Sequence, residues 1–133
     1  MNKKETLGFI LSLVLVILST SAVHSQSPAF TNIRYVPDGT PSQALDIYLP
    51  ETGDGPFPVI LEFHGEGDGP ALPLNMREHV LEQGYALVGV DYTDHDYLQG
   101  AKDSFCALAW LHAYGSEYDL DTNRAVALGW SPP

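Results

Sequence analysis

The sequence predicts an α/β fold in which an antiparallel hairpin leads into parallel strands joined by crossover helices. Three observations predict it. Apolar runs of strand length recur at residues 58–65 (PVILEFHG), 85–92 (YALVGVDY) and 124–130 (RAVALGW), and stretches of helical spacing separate them. The near-continuous apolarity of each run suits a strand covered on both faces, the usual condition in parallel sheets. The order strand, helix, strand, helix, strand with short loops is the one that right-handed crossovers produce.

Taken in order, residues 1–25 have the layout of a secretory signal peptide. Lys3 and Lys4 precede an apolar run at residues 7–18, and small and polar residues follow at 19–25. A membrane span needs roughly 20 apolar residues, more than this run supplies. Val23 and Ser25 suit the positions three and one before a cut, so Gln26 is the expected mature N-terminus. A partial α/β domain then occupies residues 26–133, and export to the periplasm or the medium is expected.

Residues 31–36 and 44–49 (ALDIYL) read as the two strands of the hairpin, turning through the Pro and Gly residues at 37–41. Residues 50–58 form a surface turn before the first apolar strand. Residues 75–83 have helical spacing, with Met76, Val80 and Leu81 on one side and Gly84 as the stop. After the second apolar strand, residues 93–100 read as a polar loop and residues 101–114 as a helix. Much of that helix's circumference is apolar, so it should pack between the sheet and a second layer. Residues 115–123 are the expected exit loop into the last strand.

The chain holds 6 Lys and Arg against 17 Asp and Glu in 133 residues, a net charge of −11. Such a surface repels nucleic acid and anionic lipid, so neither is expected as a partner once the signal is removed. Cys106 is the only cysteine, which excludes an intramolecular disulfide. Its place in an apolar helix reads as a buried structural thiol.

In sheets of this kind the chemistry gathers at the C-terminal ends of the strands. Two ends here are unusual. The first carries His64, Gly65, Glu66 and Gly67, where glycine lets backbone N–H groups come close to a ligand. The second carries Gly129, Trp130 and Ser131. Gly-x-Ser directly after a buried strand is the front half of a nucleophile elbow, in which a sharp turn lifts a serine hydroxyl above the sheet.

In order and spacing the chain resembles the α/β-hydrolase superfamily, in particular secreted bacterial esterases and lipases of the carboxylesterase and feruloyl or acetylxylan esterase type. The segments that carry the resemblance are LDIYLP at 45–50, PFPVILEFHGEG at 56–67, GYALVGVDY at 84–92, AKDSFCALAWL at 101–111 and YDLDTNRAVALGWS at 118–131. The resemblance implies the N-terminal part of an α/β-hydrolase fold. It implies Ser131 as nucleophile, oxyanion-hole amides at Gly65 and Glu66, and His64 and Gly67 as the supporting loop. Asp103 would be structural, and Trp110 and Leu111 a buried pair. The implied substrate is a carboxylic ester, small or linked to a polysaccharide. No metal or cofactor is implied.

The resemblance stops at the elbow. A serine needs a base and an orienting acid, which follow it in this superfamily, whereas only Pro132 and Pro133 follow Ser131. Pro132 also has no N–H to offer an oxyanion. The 133-residue chain is therefore expected to be an inactive fragment of a serine esterase. The alternative is a complete, non-catalytic secreted binding module. His64, His79, His95 and His112 have no spacing that marks any of them as a replacement base. Asp91, Asp94, His95 and Asp96 read as a solvated acidic loop rather than a cation site. The stretch from Asp119 through Asp121 to Asn123 imitates a calcium loop, but Arg124 and Trp130 stand where its Gly and Glu belong.

Overall fold

In a computed structural model, the protein is described at residues 27–65, 67, 69, 70 and 72–130. The expected signal segment, Glu66 and Ser131 lie outside the described residues. Five strands, β1 (Phe30–Arg34), β2 (Ala44–Tyr48), β3 (Phe57–Phe63), β4 (Ala86–Val90) and β5 (Leu120–Gly129), alternate with helices α1 (Leu74–Glu82) and α2 (Tyr97–Tyr114). They form one sheet in the order β1-β2-β4-β3-β5. The β1–β2 and β2–β4 pairs are antiparallel, and β4–β3 and β3–β5 are parallel. The expected hairpin followed by a parallel sheet is what the structure contains.

Burial follows the apolar runs. All five residues of β4 are buried, as a strand with neighbours on both edges and helices on both faces requires. One face of the sheet packs Leu45, Ile47, Val59, Leu61, Val88 and Val90 against Ala107, Trp110 and Leu111 of α2. The other packs Tyr48 and Leu87 against Leu72 and Leu81 at α1, with Ile60, Val80 and Trp130 at its margin.

Three expectations are corrected. The second helix begins at Tyr97 rather than residue 101, because Asp96 caps it: its carboxylate accepts the N–H groups of Leu98 and Gln99 at 3.1 and 3.0 Å. The last strand begins at Leu120, inside the expected exit loop, after a short 3-10 helix at Gly115–Tyr118. The β3–β5 register jumps between Pro58↔Asp121 and Val59↔Ala125. Pro58 has no N–H to give the ladder, so regular pairing is broken beside it. Uninterrupted pairing thus starts one residue beyond the expected start at Arg124.

The third correction concerns Cys106, which is exposed. The stripe that α2 buries runs through Asp103, Ala107, Trp110 and Leu111, and Cys106 is turned away from it. Phe105 (74% exposed) and Leu108 share the open side, so among the described residues α2 has the sheet on one side and no second layer on the other. In α1, Leu81 is buried as expected, whereas Met76 is exposed.

Candidate active site

The strand order sets the C-terminal ends of β3 and β5 side by side. Phe63 pairs with Gly129, and one residue further on the Trp130 N–H donates to the Phe63 carbonyl at 3.3 Å. The chain segments leaving these two strands, His64-Gly65 and Trp130, therefore start from neighbouring points on the sheet.

His64 is buried. Its Nδ1 lies 2.8 Å from the Gly65 carbonyl and its Nε2 3.3 Å from the Asp91 carboxylate at the end of β4. The ring stacks on Tyr92 with centroids 4.5 Å apart, and the Tyr92 hydroxyl donates to the His64 carbonyl at 2.5 Å. With both ring nitrogens engaged, the imidazole serves as an anchor for the loop. Gly67 has φ +82°, a left-handed conformation suited to glycine, and its N–H donates to Asp94 at 2.7 Å. That bond, the largest influence, together with a second from the His95 N–H and the nearby histidines, holds the Asp94 carboxyl below its ordinary pKa against a smaller effect of burial. The loop after β4 thus holds the loop after β3 at two points.

A cavity of about 390 Å³ opens above these strand ends, lined by His64, Gly65, Tyr92, Asp94, His95, Asp96, Tyr97, Ser104 and Trp130 among others. Of the expected site residues, His64 and Gly65 line it and Gly67 stands on the loop beside it. Glu66 and Ser131 are outside the described residues, although Trp130, their neighbour in the case of Ser131, is on the cavity wall. His79 and His112 do not line the cavity.

Asp103 does what the resemblance implied. It is buried on α2 and accepts from the Thr93 N–H at 2.9 Å, from Gln43 at 2.6 Å and from Gln99 at 2.8 Å. Burial pushes its pKa up, but these hydrogen bonds together outweigh burial and bring it below the ordinary value.

One feature of the site was not anticipated. Glu62 is fully buried on β3, two residues before His64, and its Oε1 accepts the indole N–H of Trp130 at 2.6 Å. Its Oε2 has no hydrogen-bond partner among the described residues. The signal was present in the sequence as a lone carboxylate inside VILEF, an apolar strand. Its partner lies 68 residues away and could not be read from that strand. Gly89, opposite Glu62 in the register, leaves room for the loop above: a Cβ there would lie 2.7 Å from the Pro70 carbonyl.

The profile of the BD-FAE family matches residues 45–132, more than half of the chain. The chain belongs to the BD-FAE family. Solved structures agree on the fold. A truncated carbohydrate esterase from gut microbiota superposes with a TM-score of 0.66 at 21% identity, over 83% of this chain and 41% of that one. Esterase B from Lactobacillus rhamnosis gives 0.63 at 27% identity, over 75% and 34%. A thermostable esterase from Pseudomonas putida gives 0.52 at 26% identity, over 64% and 29%. The chain therefore spans between 29% and 41% of the length of these esterases. No curated protein matches it. The BD-FAE match runs from the second residue of β2 through β5, both strand ends of the site included.

Proposed function

We propose that this BD-FAE chain is the front part of an exported serine carboxylic-ester hydrolase. In this reading Ser131 attacks the ester carbonyl, the N–H groups of Gly65 and Glu66 hold the oxyanion, and His64 and Gly67 support that loop. Residues 1–25 direct export and are removed. The substrate is a small or polysaccharide-linked ester, in keeping with the esterase and carbohydrate esterase named among the structural neighbours.

The observation that carries the reading is the adjacency of the β3 and β5 ends, tied by the Trp130 N–H to Phe63 carbonyl bond. Nucleophile and oxyanion donors must lie within about 3 Å of one carbonyl group, and neighbouring parallel strand ends bring two loops that close. The 133 residues alone are expected to hydrolyse esters negligibly, because no acid or histidine follows Ser131 in them.

The test begins with the coding DNA. Downstream of codon 133, in one of the three frames, it should encode an Asp or Glu followed by a His. The chain extended by that sequence should turn over a p-nitrophenyl ester, and Ser131→Ala should lower kcat by a factor on the order of 10⁴ or more. An extended chain indifferent to Ser131→Ala would rule the reading out.

A further inference from the structure

Glu62 stands where an apolar strand residue would be expected. Its register neighbours are Gly89 on β4 and Leu128 on β5, and the layer it faces consists of Tyr48, Leu72, Leu81 and Leu87, with Trp130 at the margin. A buried carboxyl with one oxygen unpartnered is costly, so the hydrogen bond it does make carries weight. That bond goes to Trp130, one residue before Ser131 and one residue after the last register pair of β3 and β5. The Trp130 backbone is held separately by Phe63, the residue that follows Glu62. Two consecutive residues of β3 therefore hold one residue of the outgoing chain, the first by its side chain and the second by its backbone.

We propose that Glu62 is a positioning residue: by accepting the indole N–H of Trp130 it fixes the direction in which the chain leaves β5, and with it the place from which Ser131 reaches the loop after β3. The inference rests on Ser131 being the nucleophile, but its test does not require turnover. The mechanics are simple. The indole is a broad, rigid plate packed, like Ile60 and Val80, against the cluster of Tyr48, Leu72, Leu81 and Leu87, and its N–H is the one donor that sets its rotation. His64, which anchors the loop after β3, directly follows the strand that carries Glu62, so β3 both supports that loop and aims the segment after β5.

The titratable groups that interact with Glu62 are Tyr48 on β2 and His64 beyond the end of β3, and Arg77 on α1 lies over the Tyr48 ring, its guanidinium 4.7 Å from the ring centre. Burial raises the Glu62 pKa, while the Trp130 hydrogen bond and His64 draw it back in part. The tie should therefore change character as Glu62 titrates above its ordinary value, which gives it a spectroscopic signature.

The experiment is nuclear magnetic resonance of the full 15N-labelled chain carrying Trp110→Phe, which leaves Trp130 as its single indole. The Trp130 indole N–H and the Ser131 amide are expected to shift with pH at one common midpoint, above the ordinary Glu value of about 4.3. Glu62→Gln should abolish both titrations while keeping indole exchange slow, since the amide oxygen still accepts. Glu62→Leu should speed indole exchange roughly tenfold, the effect of losing one buried hydrogen bond, and should displace the Ser131 resonance. If Glu62→Leu does not fold, Trp130→Phe removes the donor while keeping an aromatic ring and should silence the pH response at Ser131. A Ser131 amide that ignores pH and every one of these variants overturns the inference. A kcat unaffected by Ser131→Ala in the extended chain would overturn the nucleophile reading alone and leave these resonances unchanged.

Discussion

Two buried carboxyls sit at the core of this molecule with opposite consequences for its stability. Asp103 has three hydrogen bonds and a pKa below the ordinary value, so its ionised form is the one the fold prefers. Its contribution is full above the unfolded value of about 3.9 and is lost as pH falls through the folded value. Asp103→Ala should lower stability by about 3 kcal/mol in urea titrations at pH 7, since it strands the Thr93 N–H and two side-chain amides. Asp103→Asn should flatten the acid limb of the stability profile. Glu62 is the reverse case, with a pKa raised chiefly by burial. Its contribution is full below about pH 4.3 and is lost as pH rises through the folded value. Glu62→Gln should therefore be more stable than the parent at pH 7, with the difference closing toward pH 4; a gap that stays constant with pH would show that the carboxyl does not titrate as described. The role of Asp103 was legible through the resemblance, because its helix lies within a recognisable segment. Glu62 was visible only as an anomaly, because its meaning depends on a partner 68 residues away.

At the scale of elements, each strand and helix was legible from local pattern, and the errors fall at ends. The expected start of α2 at residue 101 passed over Asp96, a good N-cap residue four residues upstream of Gly100. The glycine read as loop in fact packs in the first turn, where a Cβ would lie 3.1 Å from the Thr93 carbonyl. Asp96→Ala should lower stability by about 1 kcal/mol, read as a drop in the urea midpoint at unchanged slope. A loss of helical circular dichroism without a midpoint shift would contradict that capping role. The β5 start was missed because a strand interrupted by a register jump lacks the period that pattern reading relies on. Cys106 was misplaced for a related reason. When apolar residues surround much of a helix, periodicity alone does not say which side faces the sheet.

At the scale of the whole molecule, β5 is the edge of the described sheet, paired only with β3, and Val126 (61% exposed) and Leu128 lie along it. An open edge of this length carrying apolar side chains invites pairing with another strand. The chain should self-associate in sedimentation velocity, and Val126→Lys should shift it toward monomer; an unshifted distribution would point to contacts elsewhere, such as the Phe105 side of α2. The sequence by itself determined the class of fold, the order of its elements, the family resemblance and the two strand ends where chemistry gathers, because apolar period, glycine and capping residues act over a few neighbouring positions. Only the tertiary structure decided that β4 lies between β2 and β3, that β3 and β5 end side by side, that His64 anchors its loop through Asp91 and Tyr92, and that Glu62 holds Trp130. Each of these joins residues far apart in sequence, and pairs of that kind are selected by the packing of the whole sheet rather than by any local preference.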